Sequence, residues 1–233
     1  MKLMRTLVAI ALLGIAFGYV EAAVVVYLRT ICEPIRRDVF TGEHHDNVFP
    51  LLQLKHLDEA GPQYTHALWT EVGRELATMI MLAAIALLAA QNFRQWLAGF
   101  MIAFGTWDIF YYVFLKLLID WPGSLLTWDI LFLIPVPWVG PVIAPVLIAV
   151  SMIAAGAAIL WRESVGRPVR FGKFHWGTIL AGGLIIIVAF CWDFRNTSAG
   201  GWPHSFNWPL FALGEVVGLV GFVHAFRRRP NSY

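Results

Sequence analysis

The stretch GTWDIFYYVFLKLLIDWPGSLLTWDILFLIPVP, residues 105–137, decides how the rest of the chain is read. Its first half is apolar and aromatic around Asp108, with Asp120 at its far end, and completes a run long enough to cross a bilayer. Trp121-Pro122-Gly123 then gives a turn signal. The second half carries TWDI again, at Thr127–Ile130, and runs into Pro135 and Pro137, with Pro141 and Pro145 beyond. A proline lacks an N–H and clashes with the preceding turn, so an ordinary helix is not expected here. Two arrangements fit. Residues 124–136 form an outer interfacial or re-entrant helix ahead of the fourth span, or that span is long and broken. Freed backbone groups at membrane depth are tolerated only inside protein or beside a water-filled cavity. Broken helices of this kind line ion and substrate sites in transporters, and a simple proline kink is the plainer alternative.

The rest of the chain agrees with a membrane reading. Of its 233 residues 59% are hydrophobic and only 14% charged, against about 25% charged in a soluble domain. The expected fold is an all-α bundle of six transmembrane helices in one domain, with spans at residues 6–28, 67–90, 96–119, 141–161, 174–192 and 207–226. Residues 29–66 make an outer loop or cap. The first span also resembles a signal peptide, with Lys2 and Arg5 ahead of an apolar core and Val20-Glu21-Ala22 as a cleavage-like site. The apolar run resumes after Glu21 and reaches Leu28, which favours a retained helix. The short loops around Arg94 and around Arg162, Arg167, Arg170 and Lys173 are basic, as is the run Arg227–Arg229. Both termini are therefore expected in the cytoplasm of a bacterial or archaeal cell, across its inner membrane.

Carboxylates sort unevenly in this frame. Glu21 falls near the outer end of the first span, Glu71 and Glu75 near the outer end of the second, and Asp108 near mid-depth of the third. Asp129 falls close to the outer boundary and Glu215 about two turns into the sixth span. An ionisable group at the membrane centre costs roughly 2.5–3.5 kcal/mol on insertion scales. Five segments bearing that cost at one outer level predict a shared site open to the outer side. A fold-back around the Trp121–Gly123 turn places Asp108 opposite the Pro135–Pro137 break and not opposite Asp129. Asp129 then reads most simply as a charge at the start of a helix, near water.

The strongest motif is WTEVGRELATMIML, residues 69–82. At about 100° per residue, Glu71, Arg74, Glu75 and Thr78 share one face of a helix whose remainder is apolar. Arg74 pairs with Glu71 on its own helix, which leaves Glu75 needing a proton, a cation or a partner. A buried ion-pair network that locks the bundle is the structural alternative. Gly14 and Gly18 form a GxxxG spacing, with Glu21 following on the same face; Gly214, Gly218 and Gly221 repeat the device in the sixth span. Glu215 is rotated off that stripe.

A divalent metal is the cofactor such a cluster would take, held by Glu71, Glu75, Asp108 and Glu21. Haem is disfavoured, because His66, His204, His175 and His224 sit at span ends. His44-His45-Asp46 and His56-Leu57-Asp58-Glu59 read as solvated loop charge before they read as an external metal site. Cys32 and Cys191 leave a disulfide open. Walker, GxSxG, HExxH and CxxC signatures are absent from the sequence. The function expected is binding and translocation of a cation or proton-coupled small solute. An intramembrane enzyme using the Glu/Asp cluster and a non-catalytic membrane subunit or assembly factor are the rivals. The implied partners are the bilayer and a small solute or cation, with a homo-oligomer or larger membrane complex left open and no nucleic acid.

Overall fold

Long apolar runs closed by capping residues set the helices. In the computed structural model, which describes residues 2–39, 54–199 and 203–228, the order is α1 (Lys2–Val39), α2 (Leu54–Ala60), α3 (Pro62–Ala89), α4 (Phe93–Ile119), β1 (Trp128–Phe132), β2 (Trp138–Pro141), α5 (Ile143–Ser164), α6 (Lys173–Phe190), α7 (Phe194–Ser198) and α8 (Trp208–Arg227). Six of these helices, α1, α3, α4, α5, α6 and α8, are long and apolar enough to span a bilayer. The chain is a polytopic membrane protein. The Asn92 side chain caps α4 by accepting from the Gln95 amide at 3.0 Å, and Asn207 caps α8 through the Leu210 amide at 3.1 Å. At its far end α4 stops on Asp120, which takes the left-handed conformation (φ 53°) that aspartate tolerates better than most residues.

Small residues let the helices close on one another. A Cβ at Gly14 would stand 2.9 Å from the Ala103 carbonyl oxygen, and one at Gly18 2.9 Å from the Tyr111 nitrogen, so the GxxxG face of α1 lies directly on α4. Gly105 and Gly156 do the same between α4 and α5, and Gly182 between α6 and α8. Lipid is as apolar as leucine, so this close van der Waals fit, more than burial from water, joins the spans. Polar ties secure the end away from the strands. Arg94 pairs with Glu163 across α4 and α5, Trp96 donates to the Ala83 carbonyl at 3.0 Å, and the His175 and His224 rings meet at 2.9 Å between α6 and α8.

One expectation is corrected. Residues 124–136 contain no helix. β1 and β2 pair as an antiparallel hairpin, with Asp129 opposite Gly140 and Phe132 opposite Trp138. Two prolines break the helical hydrogen-bond pattern at the tip, while Trp, Ile and Phe favour extended backbone on either side. Pairing satisfies the strand amides and carbonyls that would otherwise be stranded among helices. The described parts of the connection at residues 29–66 are mostly helical. α1 continues through Pro34 to Val39, and α2 adds a short helix. Charges at Arg29, Glu33 and Arg37 end the apolar run without ending the helix: Arg37 and Glu33 pair at 2.9 Å one turn apart, and Arg29 lies over the Trp121 ring at 4.3 Å.

Candidate functional site

The glycine-mediated contact of α1 on α4 carries Glu21 toward α3, where Arg74 waits one helix across. Arg74 donates through Nε to Glu71 at 2.9 Å, through Nη2 to the other oxygen of Glu71, and through Nη1 to Glu21 and to Thr78 Oγ1, the last at 3.1 Å. One guanidinium thus binds two carboxylates from two helices, one of them with the fork geometry that makes arginine the usual choice for such pairs. Glu75, one turn along, is 7% exposed and turns to the hairpin: both its oxygens accept from the Leu133 amide, at 3.1 and 3.2 Å. The tip of a proline-terminated hairpin is therefore tethered to a buried acid.

Asp108 and Asp129 lie further along the same layer. Asp129, 5% exposed, accepts from the Tyr112 hydroxyl at 2.9 Å. It is on a strand and buried, not at a helix start near water as its sequence position implied, because the hairpin turns that face of β1 toward α4. Burial pushes the Asp129 carboxyl up from 3.8 to about 6, against the opposing pull of the Tyr112 hydroxyl, the Arg29 charge and the Ile130 amide. Asp108 flanks the break through Phe132 and Trp138, with which it shares a cavity, and it stands close enough to Asp129 to feel its charge, which the fold-back count did not foresee. Its Oδ2 is buried and has no hydrogen-bond partner among the described residues.

Two adjoining cavities connect these groups. The larger, about 350 Å³, is bounded by α1, α3, α4, α5, α6 and the hairpin, and Glu21, Glu71, Arg74, Glu75 and Asp108 line it. The smaller, about 140 Å³, lies toward α2, with Arg29, Glu71, Glu75 and Asp129 in its wall. Between them, five carboxyl groups face two guanidinium groups. Of the seven acids and bases singled out from the sequence, Glu21, Glu71, Arg74, Glu75, Asp108 and Asp129 line one or both of these cavities. Glu215 does not. It accepts from Ser151 at 3.3 Å across α5 and α8 and lines neither cavity.

As a metal centre the acids do not fit. Among the described residues no three His, Cys, Asp or Glu side chains converge on one point, and Glu21 and Glu71 are already committed to Arg74. Cys32 and Cys191 are both free thiols, Cys32 in the wall of the smaller cavity. His44, His45 and Asp46 lie outside the described residues. Asp58 of the neighbouring His56–Glu59 group accepts from Thr65 at 2.6 Å and ties α2 to α3.

Sequence reading missed Tyr111, Tyr112, Trp107, Trp138 and the Leu133 amide as parts of the site. A signal for the tyrosines was present: Tyr111 and Tyr112 follow Asp108 at the i+3 and i+4 positions of one helix face. Compared with protein-family models, with curated proteins and with solved structures, the chain matches none.

Proposed function

We propose that this membrane protein binds and translocates a cation or a proton-coupled small solute through the acid layer between α1, α3, α4 and the hairpin. The excess of carboxyl over guanidinium groups around the two cavities carries the reading. Carboxylates held away from water without matching cations favour taking up a proton or a cation. The parts divide the work. Arg74 holds the carboxyl groups of Glu21 and Glu71 in place, which organises the wall. Glu75, Asp108 and Asp129 have no bonded cation; Asp129 is held by the Tyr112 hydroxyl, and Glu75 and Asp108 exchange protons or meet the solute. The hairpin contributes a joint, since its tip is attached to α3 through the same Glu75 that would change charge on loading. Basic residues at Arg94, Arg162, Arg167 and Arg170 orient the chain with both termini in the cytoplasm, so the hairpin and the smaller cavity face outward.

Reconstitution tests this directly. Liposomes holding the protein and a trapped pH dye are challenged with inward gradients of Na⁺, K⁺, Mg²⁺ or ammonium compounds. The wild type should shift internal pH in response to at least one of them. Glu75→Gln and Asp108→Asn should slow that response by about tenfold or more at nearly unchanged thermal stability. Variants that respond like the wild type, or a wild type inert to every gradient, would reduce the acid layer to a structural network.

A further inference from the structure

We infer that the larger cavity takes an organic cation, a primary amine on an apolar body that carries an oxygen acceptor, with Asp108 as the carboxylate that meets the ammonium group. This rests on the reading of the acid layer as a cation site and narrows the class of cation. The other acids are spoken for. Glu21 and Glu71 bind Arg74, Glu75 binds the Leu133 amide, and Asp129 accepts from Tyr112. Asp108 alone among them keeps a buried oxygen with no hydrogen-bond partner among the described residues. A buried carboxylate oxygen left this way costs free energy until a donor reaches it, and a charged N–H donor recovers most.

The walls around Asp108 fit an organic body better than a bare ion. Phe104, Trp107, Tyr111, Phe132, Trp138 and Phe190 line the same cavity. Trp107 meets Phe104 edge-on at 5.1 Å, and Trp138 stacks on Phe190 at 6.4 Å, so the rings form continuous aromatic walls. Ring faces attract an ammonium group and its adjoining CH₂ groups, but they offer no oxygen ligands to replace the hydration shell of Mg²⁺ or Ca²⁺. A volume of about 350 Å³ lies in the range of small-molecule sites. Two more atoms define the occupant. The indole N–H groups of Trp107 and Trp138 are both buried without a partner among the described residues. They are donors only, so a bare cation leaves them unsatisfied, whereas an ether, hydroxyl or carbonyl oxygen accepts from them. Asp108, Trp107 and Trp138 all line this one aromatic cavity, and their unpartnered polar atoms thus ask for an ammonium group and an oxygen on one molecule.

The probe is 2-phenoxyethylamine, whose ammonium, ether oxygen and ring supply those three features, set against its neutral analogue 2-phenoxyethanol. Binding to the full-length protein in detergent is measured by calorimetry, with empty micelles as the blank. The amine should bind saturably and the alcohol about tenfold more weakly or worse. Asp108→Asn should weaken the amine by about tenfold or more and leave the alcohol unchanged. Trp138→Phe, which keeps the ring and removes the N–H, should weaken both by about threefold to tenfold. Equal affinity for amine and alcohol, or an Asp108→Asn variant that binds the amine as the wild type does, would overturn the inference. Should Asp108→Asn not fold, the amine-to-alcohol ratio and Trp138→Phe decide the matter on their own. Failure of the amine alongside a pH response driven by Na⁺, K⁺ or Mg²⁺ in liposomes would sink the organic cation and leave the acid site standing. Failure of both would sink both.

Discussion

Thr106–Ile109 and Thr127–Ile130 spell the same four residues, and the fold gives them different work. The first copy lies inside α4, where 3.6 residues per turn spread its side chains around the helix. Thr106 packs against Gly14 of α1, Trp107 enters the core, and Asp108 faces the larger cavity. The second copy enters β1, where successive side chains alternate between two faces. Thr127 accepts from the Ser124 amide at 3.0 Å and holds the turn, Trp128 packs on Phe206, and Asp129 points back at Tyr112. Asp129 is answered by a hydroxyl; one oxygen of Asp108 is answered by nothing among the described residues. A buried acid is therefore structural or available according to the donors the fold brings to it, and identical local sequence does not decide which. The same division separates Glu21, Glu71 and Glu75 from Asp108, and it can be broken by removing donors one at a time.

The largest effect is expected where one donor serves two acids. Arg74→Gln leaves Glu21 and Glu71 facing each other without a cation. It should destabilise the protein in detergent by about 3–5 kcal/mol, read from denaturant unfolding of the purified chain. Arg74→Lys keeps the charge but loses the fork, and should fall between the two. Next comes Glu75. Glu75→Ala strands the Leu133 amide at the hairpin tip and should cost about 1–3 kcal/mol, whereas Glu75→Gln keeps an acceptor and should recover most of it. Equal losses in Ala and Gln would mean that the tether contributes little and that charge alone matters at this position.

How much of this was legible in the sequence follows from the same physics. Helix-forming spans and the Glu71–Arg74–Glu75 face are local: they depend on periodicity along one element, so spacing was enough. The close approach of α1 through Gly14 and Gly18 was legible too, because a missing Cβ has one main use at such spacing. The hairpin was not. Its prolines showed only that a helix fails, and strand pairing depends on a partner, residues 138–141, that period-counting cannot join to 128–132. With the hairpin went Asp129, whose burial and Tyr112 bond depend on which way β1 faces. Glu215 shows the reverse case. An acid in the right layer of the right span is turned toward Ser151 by the packing of α8, away from the cavities.

A smaller effect separates the two aspartates by pH. Asp129 is faced by Tyr112 and Asp108 of α4 and by Arg29 and Glu21 of α1. Its carboxyl is raised by burial to about 6 from 3.8. Below 3.8 it is protonated whether the chain is folded or not, and folding keeps its full stability. As pH rises from there to about 6 the unfolded chain releases the proton first, so stability falls through that window and stays lower above it. Asp129→Asn keeps an acceptor for Tyr112 and removes the titration. Relative to the wild type, it should become more stable as pH is raised from 4 to 6 and hold a constant gain beyond, of about 1–3 kcal/mol. Tyr112→Phe removes a lowering contribution and should move the fall to higher pH, with a loss of about 1 kcal/mol at neutral pH.

The smallest change in stability is expected at the acid with the most exposed function. Asp108→Asn removes a buried carboxyl group and breaks no hydrogen bond to the Oδ2 atom, since that oxygen has no partner among the described residues. An amide is of similar size and needs no desolvation of a charge, so the folded protein loses nothing that it had. Unfolding of Asp108→Asn at neutral pH should lie within about 1 kcal/mol of the wild type, on the stable side if either. Such a variant would be folded, loaded with the Arg74 network and the hairpin intact, and deficient only in what its cavity binds. A loss as large as that of Arg74→Gln would instead place Asp108 with the partnered acids and erase the difference between the two TWDI copies.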